Sequence, residues 1–492
     1  MKKLLEDILR EVDVLKMIGF SSNKWIEGLS ICSKMIKKKN MIFFAHKGTR
    51  TDGHRFIIEA IQNGANTIVC EKKPFLIQKS ITYVLVQDSI IALGTISSNF
   101  YDNPTRKIKL VGITGTNGKT SVATMLHSLF YKMGEKTILI STIGIKILSK
   151  KFTTEHTTPN IIDINKYLNI SMKQGCKYGF MEVSSHGIHQ KRIEGLLFAG
   201  GVFTNITHDH LDYHQSFENY LSVKRFFFEN YLQKNSFALI NADDKNSHEI
   251  IKNVFAKTYF YGLKKKADFR IKILINNING NRLIINGHSF FTGFIGEFNV
   301  YNLLASYATS ILLGKNKHEI LKTINTIKPI KGRCEQFFSN SGIRIIVDYA
   351  HNPDGIKTVL NTIKGIKKKE EKLICVIGCG GNRDKEKRSL MGKIVYETCD
   401  RSIFTSDNPR EEDPEKILID MKKFISNKKN KKDILTIVNR KLAIQTAIRI
   451  AKRKDIIVIA GKGHENYQEI QGKRYPFDDM KIAKKFLKNL RK

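Results

Sequence analysis

The sequence has no apolar run long enough to span a bilayer, which excludes a membrane-spanning helix. Its start, Met1-Lys2-Lys3, does not lead into a signal-peptide core, because Glu6, Asp7, Arg10, Glu11 and Asp13 interrupt the apolar residues. Cysteine is scarce: there are seven, an odd number with no C-x-x-C spacing, which argues against a disulfide framework or a structural zinc. The expectation is a cytoplasmic protein. Acidic residues are outnumbered, 46 against 83 basic ones, for a formal net charge of +37. That excess would ordinarily point to nucleic acid or a membrane surface. The lysines, however, are spread through every segment, and the runs at 37–39, 264–266 and 428–432 lack the interleaved aromatics on which bases stack. A solvated surface is expected, with no nucleic acid and no membrane as partner. A nucleic-acid-dependent P-loop ATPase is a remote alternative, since helicase motifs are missing.

What is present is an ordinary soluble composition, 41% hydrophobic and 26% charged, over 492 residues, enough for two to four domains. The informative stretch is Ile108 to Ser121. A short apolar run breaks into Gly115-Thr116-Asn117-Gly118, then Lys119-Thr120-Ser121, then a helical pattern with Val122, Met125, Leu126, Leu129 and Phe130 on one face. Strand, glycine turn, Lys-Thr and helix form a cradle for a nucleotide triphosphate. Glycines let backbone N–H groups approach phosphates, and the helix N-terminus adds partial positive charge. Lys119 would reach the β/γ oxygens and Thr120 would ligate Mg²⁺. The strict pattern G-x-x-x-x-G-K-[ST] fails, because its first position falls on Ile113 while glycines stand at 112 and 115.

Along the chain, strands are expected at Met41–Ala45, Thr67–Cys70, Lys136–Thr142, Tyr178–Val183 and Val202–Asn205, with helices at Ile57–Asn63 and about Phe217–Tyr231. Residues 268 to 294 predict a hairpin turning at Asn279-Gly280-Asn281. A further unit begins near 334, with strands Ile343–Val347, Leu373–Ile377, Ile403–Thr405 and Ile456–Ala460. Each runs into a polar loop at its carboxyl end, where open α/β sheets place ligands. Alternating strands and helices imply a mostly parallel sheet. The glycines at 378, 380 and 381 do not extend to G-x-G-x-x-G, since Arg383 takes the last position, so no dinucleotide site is expected.

Glu182 ends a strand beside the phosphate loop, where a carboxylate could bind the same Mg²⁺ or merely cap a turn. His208, Asp209, His210, Asp212 and His214 crowd into seven residues, but without zinc spacing; they read as a loop offering one or two ligands. Lys224, taken alone on an amphipathic helix, reads as an ordinary surface lysine. Arg333 could clamp a phosphate or be a linker arginine. Arg383 and Arg410, with Glu465 opposite, would suit a substrate carrying carboxylates and an ammonium group.

Together these motifs resemble the Mur ligase family of ATP-dependent amide-bond (C–N) ligases that build the peptidoglycan peptide. The resemblance rests on Met181-Glu182-Val183-Ser184-Ser185-His186-Gly187, Asp209-His210-Leu211-Asp212-Tyr213-His214, Asp348-Tyr349-Ala350-His351 and Gly461-Lys462-Gly463-His464-Glu465. It implies an α/β chain of three domains: a small N-terminal uridine-binding domain (1–88), a central P-loop-type, mostly parallel sheet domain (89–333) and a C-terminal Rossmann-like, amino-acid-binding domain (334–492). Within the family, Asp407-Asn408-Pro409-Arg410 is similar to the signature of members that add meso-diaminopimelate to the D-glutamate of UDP-N-acetylmuramoyl-L-alanyl-D-glutamate. Alternatives are an L-lysine-adding member and a folylpolyglutamate-synthase-like ligase.

By the same resemblance, ATP would be bound by Gly115, Thr116, Asn117, Gly118, Lys119, Thr120, Ser121, Asn302, Arg333 and Asp348. The UDP-sugar-peptide would meet Ile31, Ser33, Thr49, Arg50, Thr51, His156, Thr157, Thr158, Ser184, Gln190 and Arg192. Diaminopimelate would be held by Arg383, Asp407, Asn408, Pro409, Arg410, Gly461 and Glu465. Two Mg²⁺ ions would involve Thr120, Glu182, His210 and Lys224, the last as a carbamate. A cytoplasmic monomer is implied. Two positions depart from the family: Cys32-Ser33-Lys34 stands where Asp-Ser-Arg is usual, and His156 where Asn is common.

Overall fold

The runs Leu373–Ile377 and Ile456–Ala460 contain no charged position that would have to face water. In the computed structural model, which describes residues 1–19, 23–48, 51–425 and 434–489, they are neighbouring parallel strands buried on both faces. They sit inside a six-stranded sheet ordered Glu335–Phe338, Arg344–Asp348, Ile456–Ala460, Leu373–Ile377, Arg401–Thr405 and Ile434–Ile437. The first of these is antiparallel to its neighbour and the rest are parallel.

Two other large sheets precede it. Five strands between Val14 and Val86 form the first, four of them parallel. The helix Ser89–Phe100, capped by the Asp88 carboxylate on the amides of Ile90 and Ile91, packs both on this sheet and on the helix Ile161–Lys173 of the next unit. The second sheet has nine strands, with Lys109–Thr114 at its centre between Tyr178–Glu182 and Phe198–Phe203. From Lys109–Thr114 the chain crosses to Thr137–Ser141 on one side, and from Tyr178–Glu182 it passes back to Phe198–Phe203 on the other, so the turn after Lys109–Thr114 lies at a topological switch point. That turn opens the helix Lys119–Lys132, whose Val122, Met125, Leu126, Leu129 and Phe130 are all buried, as the 3.6-residue period requires. No helix among the described residues is long and apolar enough to cross a membrane.

One expectation is corrected. The stretch read as a single hairpin is a three-stranded antiparallel sheet, Lys272–Asn277, Gly280–Ile285 and His288–Thr292. The second turn falls at Asn286-Gly287, both with positive φ (48° and 83°), the backbone that tight hairpin turns need. An Asn-Gly pair between alternating residues was the signal for it.

Two glycines position the helix Phe217–Asn230. A Cβ on Gly112 would lie 2.5 Å from the Phe227 ring and 3.0 Å from both Phe198 and Val183; one on Gly201 would lie 2.9 Å from Phe228. The bare backbone of these strands is the floor on which Phe227 and Phe228 rest, both buried. Gly112→Ala would lift this helix from the sheet. We expect a loss of about 1–3 kcal/mol in urea unfolding, typical of an overpacked core. We also expect weakened activity, because the same helix carries Lys224; unchanged stability and turnover would show that the close approach is not needed.

Candidate active site

Gly115 (φ 144°) and Gly118 (φ 90°) hold backbone that L side chains rarely adopt. A Cβ on Gly118 would fall 2.5 Å from Asn302 Oδ1, and one on Gly115 would strike the Thr204 hydroxyl. The turn therefore closes tightly, and Lys119 folds over it, donating to the carbonyls of Gly115 (2.8 Å) and Thr116 (2.7 Å). Lys224, read from its helix as a surface lysine, is instead 1% exposed. Its Nζ donates to the same Gly115 carbonyl at 2.9 Å and lies 4.6 Å from the centre of the Tyr220 ring, one helical turn earlier. The Tyr220 hydroxyl is 3.0 Å from Thr116 Oγ1. Burial, and then the nearby Lys119 charge, push Lys224 well below the ordinary lysine range. Lys119 is lowered too, chiefly by burial.

Opposite these ammonium groups are two carboxylates. Glu182 is 1% exposed at the end of its strand, and its oxygens accept from the Thr142 amide (2.9 Å) and hydroxyl (3.2 Å). Among the described residues no ion pair reaches it. Asp209 accepts from the Asn352 side chain at 2.8 Å. Burial alone would raise Asp209, but His210, His351, Lys387 and the Asn352 amide outweigh it and hold it ionised. His210, in a left-handed conformation (φ 56°), is pushed down, chiefly by burial. His208 stacks on Phe217 and points elsewhere, and His214 is buried beneath, so the histidine-rich loop offers His210 alone of its three imidazoles. Among the described residues no three His, Cys, Asp or Glu side chains converge as a metal cluster.

The start of the C-terminal unit and its first long helix meet this loop. Arg333 donates to Thr120 Oγ1 at 2.7 Å while lying over the Tyr349 ring, 4.5 Å from its centre, so it is no free linker arginine. Asn117 reaches Asp354 at 3.3 Å. Asp348, buried behind Arg333, accepts from the amides of Cys334 and Ala350 and is raised by burial. The loops after Leu373–Ile377, Arg401–Thr405 and Ile456–Ala460 complete the far wall. Asn408 donates to Glu465 Oε2 (2.9 Å), Arg410 Nη1 to the Gly381 carbonyl (2.7 Å) and Gln468 to the Asp407 carbonyl (2.7 Å).

These groups line one open cavity of about 840 Å³. Of the residues expected at the nucleotide, Thr116 to Thr120 and Arg333 line it, while Gly115, Ser121, Asn302 and Asp348 support it from beneath. Of the sugar-peptide set, His156, Thr157, Ser184 and Arg192 line it. Thr158 is buried below, bonded to the Glu182 carbonyl, and Gln190 reaches it only through Arg192. Ile31, Ser33 and Thr51 belong to the N-terminal unit and do not line this cavity; Ser33 is buried and donates to Glu59 at 2.7 Å. Thr49 and Arg50 lie outside the described residues, as does the 428–432 run. Arg383, Asp407, Asn408, Arg410, Gly461 and Glu465 line the cavity, as do Glu182, His210 and Lys224; Pro409 does not.

Sequence reasoning missed Thr142, Tyr220, Asn352 and Arg440. Arg440 is fully buried, bidentate to Asp479 (2.8 and 2.7 Å) and bonded to the Ala460 carbonyl (2.9 Å). Its Nη1 stops 3.9 Å from Asp407 Oδ2, and neither atom has a hydrogen-bond partner among the described residues. Tyr220 had a signal in its i, i+4 spacing to Lys224; Arg440 lies in a helix whose sequence gives none.

The chain matches three family models: a Mur ligase family catalytic domain over residues 25–101, a Mur ligase middle domain over 113–310 and a Mur ligase glutamate ligase domain over 332–463. It is 47% identical to a UDP-N-acetylmuramoyl-L-alanyl-D-glutamate–2,6-diaminopimelate ligase of Cytophaga hutchinsonii, covering 99% of this chain and 100% of that one. It is 46% identical to the enzyme of the same description from Bacteroides thetaiotaomicron, covering 98% and 99%. Among solved structures, a UDP-N-acetylmuramoyl-L-alanyl-D-glutamate–2,6-diaminopimelate ligase superposes with a TM-score of 0.70 at 29% identity, covering 99% of each chain.

Proposed function

The chain belongs to the Mur ligase family, and from that premise we propose the reaction: ATP-dependent addition of meso-diaminopimelate to the D-glutamate of UDP-N-acetylmuramoyl-L-alanyl-D-glutamate, in peptidoglycan precursor synthesis. The observation that carries this reading is one cavity shared by the phosphate loop and by loops bearing Arg383, Arg410 and Glu465. A phosphate activator and a zwitterionic acceptor can meet there. The near-half identity over whole chains to diaminopimelate ligases favours that acceptor over L-lysine and over a folate substrate.

The side-chain carboxylate of the donor's D-glutamate attacks the γ-phosphate of ATP, and ADP leaves; the acceptor's amine then attacks the acyl phosphate, and phosphate leaves. Lys119, released from the Gly115 and Thr116 carbonyls, offsets charge on the transferring phosphate, and Arg333 lies beside Thr120 for the same purpose. His156, Thr157, Ser184 and Arg192 orient the donor peptide, while Ile31, Ser33 and Thr51 belong to a more distant uridine end. Arg383 and Arg410 clamp carboxylates of the acceptor, and Glu465 takes an ammonium group.

Thr120, Glu182 and His210 suit Mg²⁺: Glu182 is a buried carboxylate whose side-chain partner among the described residues is the neutral Thr142, so a cation would complete it. Bound there, Mg²⁺ would neutralise phosphate oxygens during transfer. Lys224 is the fourth member. As the neutral amine that burial favours, it attacks CO₂ through nitrogen and loses a proton, giving a carbamate. The carbamate would turn its repulsion of Lys119 into attraction and add oxygen ligands. The strands at 14–86, 109–270 and 335–460 support division near 88 and 333 into nucleotide-sugar, ATP and amino-acid units. The substrates fit a cytoplasmic setting.

Phosphate release from ATP should require both the UDP-dipeptide precursor and diaminopimelate. Turnover with L-lysine equal to that with diaminopimelate would refute the acceptor assignment. Lys224→Ala should lose most activity, on the order of a hundredfold or more for a group at the transferring phosphate, and recover part of it with added acetate or propionate. Full activity without rescue would remove Lys224 from the site.

A further inference from the structure

Beneath the acceptor side of the cavity is an ammonium group to which no role has yet been given. Lys462 is 0% exposed. Its Nζ donates to Asn408 Oδ1 at 2.8 Å and to Glu465 Oε2 at 2.9 Å, and it lies 5.5 Å from the centre of the Tyr467 ring. Asn408 Nδ2 donates to the same Glu465 oxygen at 2.9 Å, closing a triangle among the three side chains. The Asn408 oxygen also accepts from the Glu469 amide at 2.9 Å, which ties the triangle to the strand Tyr467–Ile470.

We propose that Lys462 is a positioning and specificity-determining residue for the acceptor: it fixes Asn408 and Glu465 to each other and saturates one oxygen of Glu465, so that only Oε1 is presented to the incoming ammonium group. The proposal rests on the acceptor-site reading above. Asn408 and Glu465 come from loops 57 residues apart, and no backbone hydrogen bond is needed between them because Lys462 and the amide of Asn408 do that work. With both donors on Oε2, the carboxylate cannot rotate freely, and its unsatisfied oxygen has one direction left. Lys462 itself is too deep to touch substrate; it acts through Glu465. A buried charge with two defined acceptors is costly unless both stay in place, so the triangle holds its shape before the acceptor arrives.

The test is a double-mutant cycle of Lys462→Met and Glu465→Gln, read as separate KM values for acceptor and ATP alongside kcat. Wild type is first assayed with diaminopimelate and with L-lysine, and the cycle uses whichever it accepts. A preference for lysine would overturn the functional reading while leaving Lys462 open to test. Lys462→Met should raise the acceptor KM by about tenfold or more, as loss of one partner of a buried charge pair does, with the ATP KM nearly constant. In the Glu465→Gln background the same change should add little. Effects that multiply in the double variant, or a parallel rise in the ATP KM, would mean a general structural role and overturn the proposal. If Lys462→Met fails to give a cooperative thermal transition, Lys462→Gln, which retains a donor in a smaller volume, is carried through the same cycle with the same two outcomes.

Discussion

Two lysines share one carbonyl. Lys119 and Lys224 both donate to Gly115, in a loop where burial has removed the water that would otherwise screen them. Two ammonium charges this close would repel strongly at low dielectric, so burial and Lys119 together push Lys224 well below the ordinary lysine range, and anionic groups face the loop. Glu182 and Asp209 face the loop as carboxylates, and the phosphates of a nucleotide bring the largest negative charge of all. The same constraint explains why the helix Phe217–Asn230 must approach so closely. Only the missing side chains of Gly112 and Gly201 let its phenylalanines settle on the sheet and bring Lys224 within reach.

At the junction with the C-terminal unit, Asn352 donates to Asp209 and Asn117 to Asp354, while Arg333, just before that unit, donates to Thr120. They bring the carboxyl edge of a second, mostly parallel sheet over the phosphate loop, so that the groups proposed to bind an amino acid face those proposed to activate a carboxylate. Behind that edge, buried cations set the loops. Arg440 is locked by Asp479 and stands behind Asp407, and Arg388 is locked between Glu412 and Asp420 while touching the Gly380 carbonyl. The acceptor loops owe their geometry to charges that never reach the cavity.

Much of this was legible in the sequence, for reasons that can be named. Leu373–Ile377 and Ile456–Ala460 are apolar throughout, and only a strand covered on both faces accommodates that. The phosphate loop announces itself through glycines 115 and 118, whose φ values no other residue adopts cheaply. What was not legible depended on tertiary packing. The burial of Lys224 follows from glycines on two distant strands and from a helix that looks amphipathic in isolation; the family likeness, not periodicity, pointed to it. Arg440 lies 33 residues from Asp407 with no local signal linking them. In the 268–294 stretch the pattern around Asn279-Gly280 predicts two strands, and the second turn at Asn286-Gly287 divides it into three.

The central claim is that this site activates a carboxylate by phosphorylating it. The direct measurement is to supply the UDP-dipeptide precursor with ¹⁸O in the D-glutamate side-chain carboxylate, together with ATP and diaminopimelate, and to weigh the inorganic phosphate released. If the carboxylate attacks the γ-phosphate, one labelled oxygen should appear in phosphate for each amide bond formed, with ADP as the other product. Unlabelled phosphate alongside amide formation, or release of AMP and pyrophosphate, would contradict the account.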